Sequence, residues 1–362
     1  MKNILIIGAT GKLGTKLVNF CYNNNIKIKT ITCFNNIRKV KRQQNKLKCL
    51  SFNLNEDDSK KKFIYNISKN HYDLVYFLDY GYHSIYYFNF LLTKKKRTIF
   101  AIANKELLIT GGRYLINKIF KSGNEVIPLD SEHFSLYKTN LKNDDIEKVY
   151  ITASGGPFYF NKKINLSNVS FNQVINHPKW NMGINNSIDS SNFVNKILEI
   201  YELSSIYNID LNKISFLLSQ NAFVHSIIFG KDRKISINCF NNDMLITLIY
   251  PLSLFYRLKS TNHDLKKILN LDNFNFNEFV DRRFKIYKYL SILKKLNHRQ
   301  QIEFLVLNNL AHKLYLEQNL KYNNIIDFIM INLDKKRKNE AFKSINHILT
   351  YIKSLRLNKY EI

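Results

Sequence analysis

The chain has 362 residues, 45% of them hydrophobic and 14% aromatic, enough for two or three buried cores and too apolar for a disordered chain or a small disulfide-stapled scaffold. Lys and Arg outnumber Asp and Glu by 55 to 28, a net charge of +27 that would attract polyanions, yet lysine exceeds arginine 44 to 11 and no arginine-rich tract exists. Basic runs such as Lys94-Lys95-Lys96-Arg97 and Lys335-Lys336-Arg337-Lys338 are short and read as solvated surface, so nucleic acid is not the expected partner.

In chain order, Ile4–Ile7, Ile26–Cys33, Asp73–Leu78, Thr98–Ala103 and Val126–Leu129 read as strands, with helices over Lys12–Tyr22 and Glu106–Phe120. Such alternation implies crossover connections and a parallel sheet covered on both faces. Beyond residue 130 the rhythm changes. Ile146–Thr152 reads as a strand and Asn192–Tyr207 as a helix, while Ala222–Phe229 and Lys234–Phe240 form a hairpin around Gly230-Lys231-Asp232. Lys259–Asn277, rich in Asn, Asp and Lys, reads as a linker, followed by helices near 285–297, 300–319, 323–334 and 340–356. Cys21, Cys33, Cys49 and Cys239 show no CxxC spacing, which fits a reducing compartment. The strand at Asn3–Ile7 leaves no room for a signal peptide, and the apolar stretches Ile85–Leu92 and Met244–Tyr256 fall short of the roughly 20 residues of a membrane helix. The expectation is a cytoplasmic protein.

With only 11 glycines and 4 prolines, the places where these residues cluster are informative. Gly8-Ala9-Thr10-Gly11-Lys12-Leu13-Gly14 follows a strand and opens a helix, where small residues let the backbone close on a pyrophosphate at the helix N-terminus. The motif alone is weak; its strand–turn–helix setting favours a dinucleotide site. The second strand ends in Thr32-Cys33-Phe34-Asn35-Asn36-Ile37-Arg38 with no acid for a ribose 2′-hydroxyl, which favours NADP over NAD. Asp130-Ser131-Glu132 lies at a strand's C-terminal end, where two carboxylates can share one hard cation, Mg²⁺ or Mn²⁺; acids in the first turn of a helix are an equal reading. In the helix after Ser190-Ser191, Asn192, Asn195, Lys196 and Glu199 share one face opposite Phe193, Val194, Ile197, Leu198 and Tyr201. That face is either solvated surface or one that aims an amide, an ammonium and a carboxylate at a single spot.

Together these segments resemble the 1-deoxy-D-xylulose 5-phosphate reductoisomerase family. The glycine loop is similar to its NADPH loop, Ala103-Asn104-Lys105-Glu106 to its ANKE motif, and Pro128-Leu129-Asp130-Ser131-Glu132-His133 to its P-[VL]-D-S-E-H motif. Ser154-Gly155-Gly156-Pro157-Phe158 resembles its SGGPF loop, and His177-Pro178-Lys179-Trp180-Asn181-Met182-Gly183 with Ser187-Ile188-Asp189-Ser190-Ser191, Asn195-Lys196 and Glu199 its long HPxWxMG signature. The likeness covers roughly residues 4–200 and thins beyond to Val224-His225-Ser226, Asp243-Met244 and a helical end.

The resemblance implies an α/β protein: a Rossmann-like NADP-binding domain over residues 1–129, an α+β catalytic domain for metal and substrate over 130–257, a linker over 258–284 and a helical domain over 285–362. It implies NADPH bound by Gly8, Thr10, Gly11, Lys12, Leu13, Gly14, Asn35, Lys105 and Gly183, with Asn104 and Glu106 lining the nicotinamide side. Asp130, Glu132 and Glu199 would hold one divalent metal. Ser154, His177, Ser190, Asn195 and Lys196 would bind the phosphate and hydroxyls of a sugar phosphate. Ser131 and Lys105 would contact the reacting carbons, and Trp180 and Met182 would belong to a flap. The implied reaction is rearrangement of the ketose phosphate followed by hydride transfer, giving 2-C-methyl-D-erythritol 4-phosphate, an isoprenoid precursor, in a homodimer. Three segments depart from the family: Cys33-Phe34 stand for its Ala-Gly, Ser219-Gln220-Asn221-Ala222 for its HPQS, and Tyr80-Gly81-Tyr82-His83 for a glycine-rich turn.

Two other readings compete. Tyr114 and Lys118 form the YxxxK of short-chain reductases, although 22 Tyr and 44 Lys in this length make roughly three such pairs by chance. The other is a basic nucleic-acid-binding protein on a reductase scaffold.

Overall fold

The computed structural model describes residues 2–139, 142–176, 183–220, 223–241, 243–258 and 275–356. These fall into two compact units, one reaching to Tyr137 and including the described residues from Asn241 to Leu258, the other made of the rest.

The first unit alternates strand and helix: β1 (Ile4–Ile7), α1 (Lys12–Asn23), β2 (Thr30–Cys33), α2 (Ile37–Leu47), β3 (Leu50–Asn53), α3 (Asp57–Lys69), β4 (Leu74–Phe77), α4 (Phe88–Leu91), β5 (Ile99–Ile102), α5 (Lys105–Lys121), β6 (Glu125–Pro128) and the single turn α6 (Ser131–Phe134). The sheet order is β3-β2-β1-β4-β5-β6 and every pairing is parallel. Four of the six strands are buried at every residue, as strands covered on both faces must be, and β1, β4 and β5 are uninterrupted apolar runs. Strand order reverses between β1 and β4, so the ligand crevice of such a sheet opens at the C-terminal ends of those two strands.

The expected strand over Ile26–Cys33 is shorter because its first half forms the return from α1, where the Ile26 amide donates to the Cys21 carbonyl at 2.8 Å. The segments α2, β3 and α3 were not anticipated: β3 is an edge strand with Leu50 exposed, and α2 offers the core only Val40 and Gln43. The apolar stretch near residue 250 forms α10 (Met244–Ser253), whose Leu248 and Leu252 join Ile4, Ile6, Leu17 and Tyr76 in the core. The Tyr76 hydroxyl donates to the Leu248 carbonyl at 2.8 Å. Among the described residues no helix is long and apolar enough to cross a membrane.

The second unit holds β7 (Ile146–Ala153), α7 (Phe171–Ile175), α8 (Ile184–Ser191), α9 (Val194–Tyr207), β8 (Ile214–Leu218), β9 (Val224–Gly230), β10 (Ile235–Cys239) and β11 (Asn277–Glu278). The sheet runs β10-β9-β7-β8-β11, with β7 parallel to β8 across the α8–α9 crossover and antiparallel to β9. The β9–β10 hairpin closes as expected, the Gly230 amide donating to the Lys234 carbonyl at 2.9 Å. Helices α11 (Ile286–Leu293), α12 (His298–Leu316), α13 (Ile325–Asn332) and α14 (Ile345–Arg356) follow, near the four predicted positions. Asn192 is a correction to the predicted helix: it caps the end of α8, and the chain turns through Phe193 (φ 66°) before α9 begins at Val194. The architecture is α/β, a Rossmann-like sheet and a mixed sheet with a helical C-terminal region.

Candidate active site

In the first unit, the β1–α1 turn is shaped by what its glycines lack. Gly8 has φ +86°, and a Cβ there would fall 2.6 Å from the Asp79 amide nitrogen; a Cβ on Gly14 would fall 2.3 Å from the Gly8 carbonyl oxygen. The loop therefore lies against the turn after β4, and α1 starts at Gly11 with no side-chain cap, leaving its first amides for an anion. Thr10, Gly11, Lys12 and Leu13 are all at least partly exposed on this turn. Beyond β2, Asn35 shares a hydrogen bond with Asn55, Asn36 caps α2 by accepting from the Lys39 amide at 3.0 Å, and Arg38 is exposed. The residues that follow β2, Phe34 to Lys39, include no carboxylate.

Asn104 caps α5, its Oδ1 accepting from the Leu107 amide at 2.9 Å while its Nδ2 donates to the Gly81 carbonyl at 2.8 Å and to Asp79 Oδ1 at 3.2 Å. Asp79 was not picked out from the sequence, where an isolated acid between aromatics carries no pattern; only its place just past β4 marks it. Burial pushes its carboxyl up to about 6, against the hydrogen bonds from Ser84 and Asn104. Lys105, next on α5, pairs with Asp130. Burial of Asp130 alone would raise its pKa, but the Lys105 ammonium, His133 and a hydrogen bond with Glu132 together hold the carboxyl well below the usual range. Ser131 Oγ donates to Glu132 Oε2 at 2.5 Å. Glu106 is buried in the first turn of α5. Tyr114 and Lys118 sit a turn apart in the later half of α5, the ammonium 5.8 Å from the ring centroid, away from the helix end that Asn104 caps. That placement does not build the short-chain reductase dyad.

In the second unit, Gly155 (φ +87°) and Gly156 (φ +59°) make the turn after β7 that carries Ser154. Arg283 braces the chain just beyond, donating to the Phe158 and Tyr159 carbonyls at 3.3 and 3.1 Å. Ser154 and Gly156 line an open cavity of about 620 Å³ with Pro157, Phe160, Lys163 and Gln220. A Cβ on Gly156 would lie 2.9 Å from the Ser190 carbonyl oxygen, so this turn packs directly on the end of α8. On α9 the predicted polar face forms: Asn195 Nδ2 donates to Glu199 Oε1, and Lys196 Nζ lies 2.6 Å from Glu199 Oε2. Lys196 is 7% and Glu199 1% exposed, so this is no solvated face. Gly183 is the exposed N-cap of α8, whereas His177, Trp180 and Met182 lie outside the described residues.

A glycine turn that a Cβ would fill, opening an uncapped helix at the switch point of a parallel sheet, fits a dinucleotide pyrophosphate. Neighbouring carboxylates on Asp130 and Glu132 form a hard oxygen donor set that suits Mg²⁺ or Mn²⁺.

A doubly wound parallel sheet with such a loop defines the class as a dinucleotide-binding α/β protein. Residues 126–207 match the model of the 1-deoxy-D-xylulose 5-phosphate reductoisomerase C-terminal domain. Relatives include the reductoisomerases of Clostridium novyi, 29% identical over 99% of this chain and 100% of that one, and of Pelagibacter ubique, 28% identical over the full length of both. The fold is shared with a DOX-P reductoisomerase solved with NADPH, fosmidomycin and magnesium (TM-score 0.83, 22% identity, 98% of this chain and 97% of the other). It is shared equally with the Zymomonas mobilis enzyme solved with NADPH (TM-score 0.81, 19% identity, the same coverage). Along its whole length the chain is similar to 1-deoxy-D-xylulose 5-phosphate reductoisomerases.

Proposed function

We propose that the protein converts 1-deoxy-D-xylulose 5-phosphate to 2-C-methyl-D-erythritol 4-phosphate with NADPH as reductant and a divalent cation. The observation that carries this is the end-to-end likeness to reductoisomerases in a chain that keeps the ANKE, DSEH, SGGPF and NK-x-x-E residues. A divalent cation would polarise vicinal substrate oxygens as a Lewis acid, and NADPH would supply the hydride.

The chain's own residues orient the reactants. Gly8, Thr10, Gly11, Lys12, Leu13 and Gly14, with Asn35, Lys105 and Gly183, would hold the cofactor, and Asn104 and Glu106 would line its nicotinamide side. Asp130, Glu132 and Glu199 are the metal ligands. Ser154, Ser190, Asn195 and Lys196, with His177, hold the phosphate end, so that binding energy gathered there orients the reacting carbons. Ser131 and Lys105 contact those carbons, and Trp180 and Met182 exclude water above them. Homodimerisation and a cytoplasmic setting belong to the same reading, the four free thiols supporting a reducing compartment.

The decisive assay is NADPH oxidation with the ketose phosphate, with and without Mg²⁺ or Mn²⁺. Metal-dependent oxidation is expected; its absence with either ion overturns the reading. Glu199→Gln should lower metal-dependent turnover by about 10²-fold or more while the protein still unfolds cooperatively. Turnover equal to the parent's would remove Glu199 from the ligand set.

A further inference from the structure

Behind the proposed substrate residues lies a buried polar cluster with no part in the reading above. Asp189, one residue before Ser190 on α8, accepts a hydrogen bond from Asn308 Nδ2 at 2.9 Å, and its Oδ1 lies 2.8 Å from His312 Nε2. Both partners are on α12, one turn apart, and the three residues are at most 5% exposed. Asn308 Oδ1 and His312 Nδ1 have no hydrogen-bond partner among the described residues, so both side chains are committed to Asp189 alone. Two residues on, Ser191 Oγ lies 3.0 Å from the Tyr322 hydroxyl, a second bond between this junction and the C-terminal region. The chain then passes through Phe193 at φ 66°, a conformation that an aromatic residue keeps only where its surroundings over-determine it.

Apolar side chains of similar volume would join two helices without burying a charge, so a carboxylate held by two directional donors fixes more than contact; it fixes the rotation of α8 about its axis. That rotation sets where Ser190 points and, through the Phe193 turn, where Asn195 and Lys196 enter the site. On the opposite side the Gly156 turn touches the Ser190 carbonyl and leaves no slack. We propose that His312 and Asn308 are positioning residues: acting through Asp189, they hold the α8–α9 junction in the geometry that binds the phosphate end of the substrate. This rests on the reading of Ser190, Asn195 and Lys196 as sugar-phosphate ligands.

The test uses the full chain with NADPH bound, inorganic phosphate as calorimetric probe, and KM and kcat for the ketose phosphate. His312→Ala should weaken phosphate binding and raise KM by about tenfold or more, with NADPH affinity within about twofold of the parent. His312→Gln, whose amide nitrogen can replace Nε2, should restore both to within about threefold. A folded His312→Ala protein with phosphate affinity and KM unchanged overturns the proposal, as does a loss of NADPH affinity equal to the loss of phosphate affinity. If His312→Ala does not fold, Asn308→Ala, which removes one of the two bonds, is held to the same criteria. A parent protein that binds phosphate but does not turn over the ketose phosphate overturns the substrate reading alone, and the phosphate arm still decides the clamp. A parent that binds no phosphate overturns the clamp.

Discussion

Gly14 has no need of a left-handed φ, yet a Cβ there would press on the Gly8 carbonyl at 2.3 Å and the Ala9 carbonyl carbon at 2.6 Å, both backbone atoms that cannot swing aside. Gly14→Ala should therefore cost about 1–3 kcal/mol in urea unfolding, as overpacking does. It should also lower NADPH affinity by about tenfold, because the displaced turn is the one proposed to hold the pyrophosphate. Asp79, against the same turn, titrates in the other direction from a salt-bridged acid. Its folded pKa, about 6, exceeds the ordinary 3.8, so its contribution to stability is fully present below pH 3.8 and is lost as pH rises through 6. Asp79→Asn should melt about 2–4 °C above the parent at pH 7 and close to it at pH 3.5, read from melting curves across that range. Equal melting temperatures at both pH values would show that the carboxyl is not shifted. Neither glycine contact nor carboxyl environment is visible in spacing, although the glycine cluster itself stood out in a chain so poor in glycine.

Helix α9 shows what periodicity reads well and where it misleads. The repeat that places Asn195, Lys196 and Glu199 on one face and Ile197, Leu198 and Tyr201 on another was legible, and the bonds it implied are present. The same repeat ran on through Asn192 and hid the break, because one left-handed residue between two helices leaves the apolar spacing nearly intact. At that break two effects compete. Phe193→Gly would relieve a left-handed strain of about 1–2 kcal/mol. It would also delete a ring packed tilted against Phe279 at 4.4 Å and edge-on to Phe284 at 4.8 Å, a loss of about 3–5 kcal/mol for a buried aromatic. The packing loss is larger, so the variant should be less stable by about 2–3 kcal/mol in denaturant titration. A more stable variant would mean that the strain outweighs the ring contacts. Strand β3 escaped sequence reading for a simpler reason: Leu50-Ser51-Phe52-Asn53 is not the unbroken apolar run that marks β1, β4 and β5.

At the scale of the molecule, the net charge of +27 bears on encounter rather than on fold. Both proposed reactants are anionic, so kcat/KM for the ketose phosphate should fall by about two- to tenfold between low and physiological ionic strength while kcat stays level. A kcat/KM indifferent to salt would show that the lysines are compositional and do not steer substrate. What the sequence determined by itself is whatever depends on neighbours a few residues apart: the strand–turn–helix that opens the chain, the helix over Glu106–Phe120, and the polar face of α9. Such features follow from the helical and strand repeats, which chain geometry imposes wherever they occur. What only the tertiary structure decided involves residues far apart in the chain. Leu248 joins the core that contains β1, Asp79 comes to rest against Gly8, and Asp189 finds His312 across 123 positions. Those pairings are chosen by how buried surfaces fit and how buried polar groups find partners, and no local repeat encodes either.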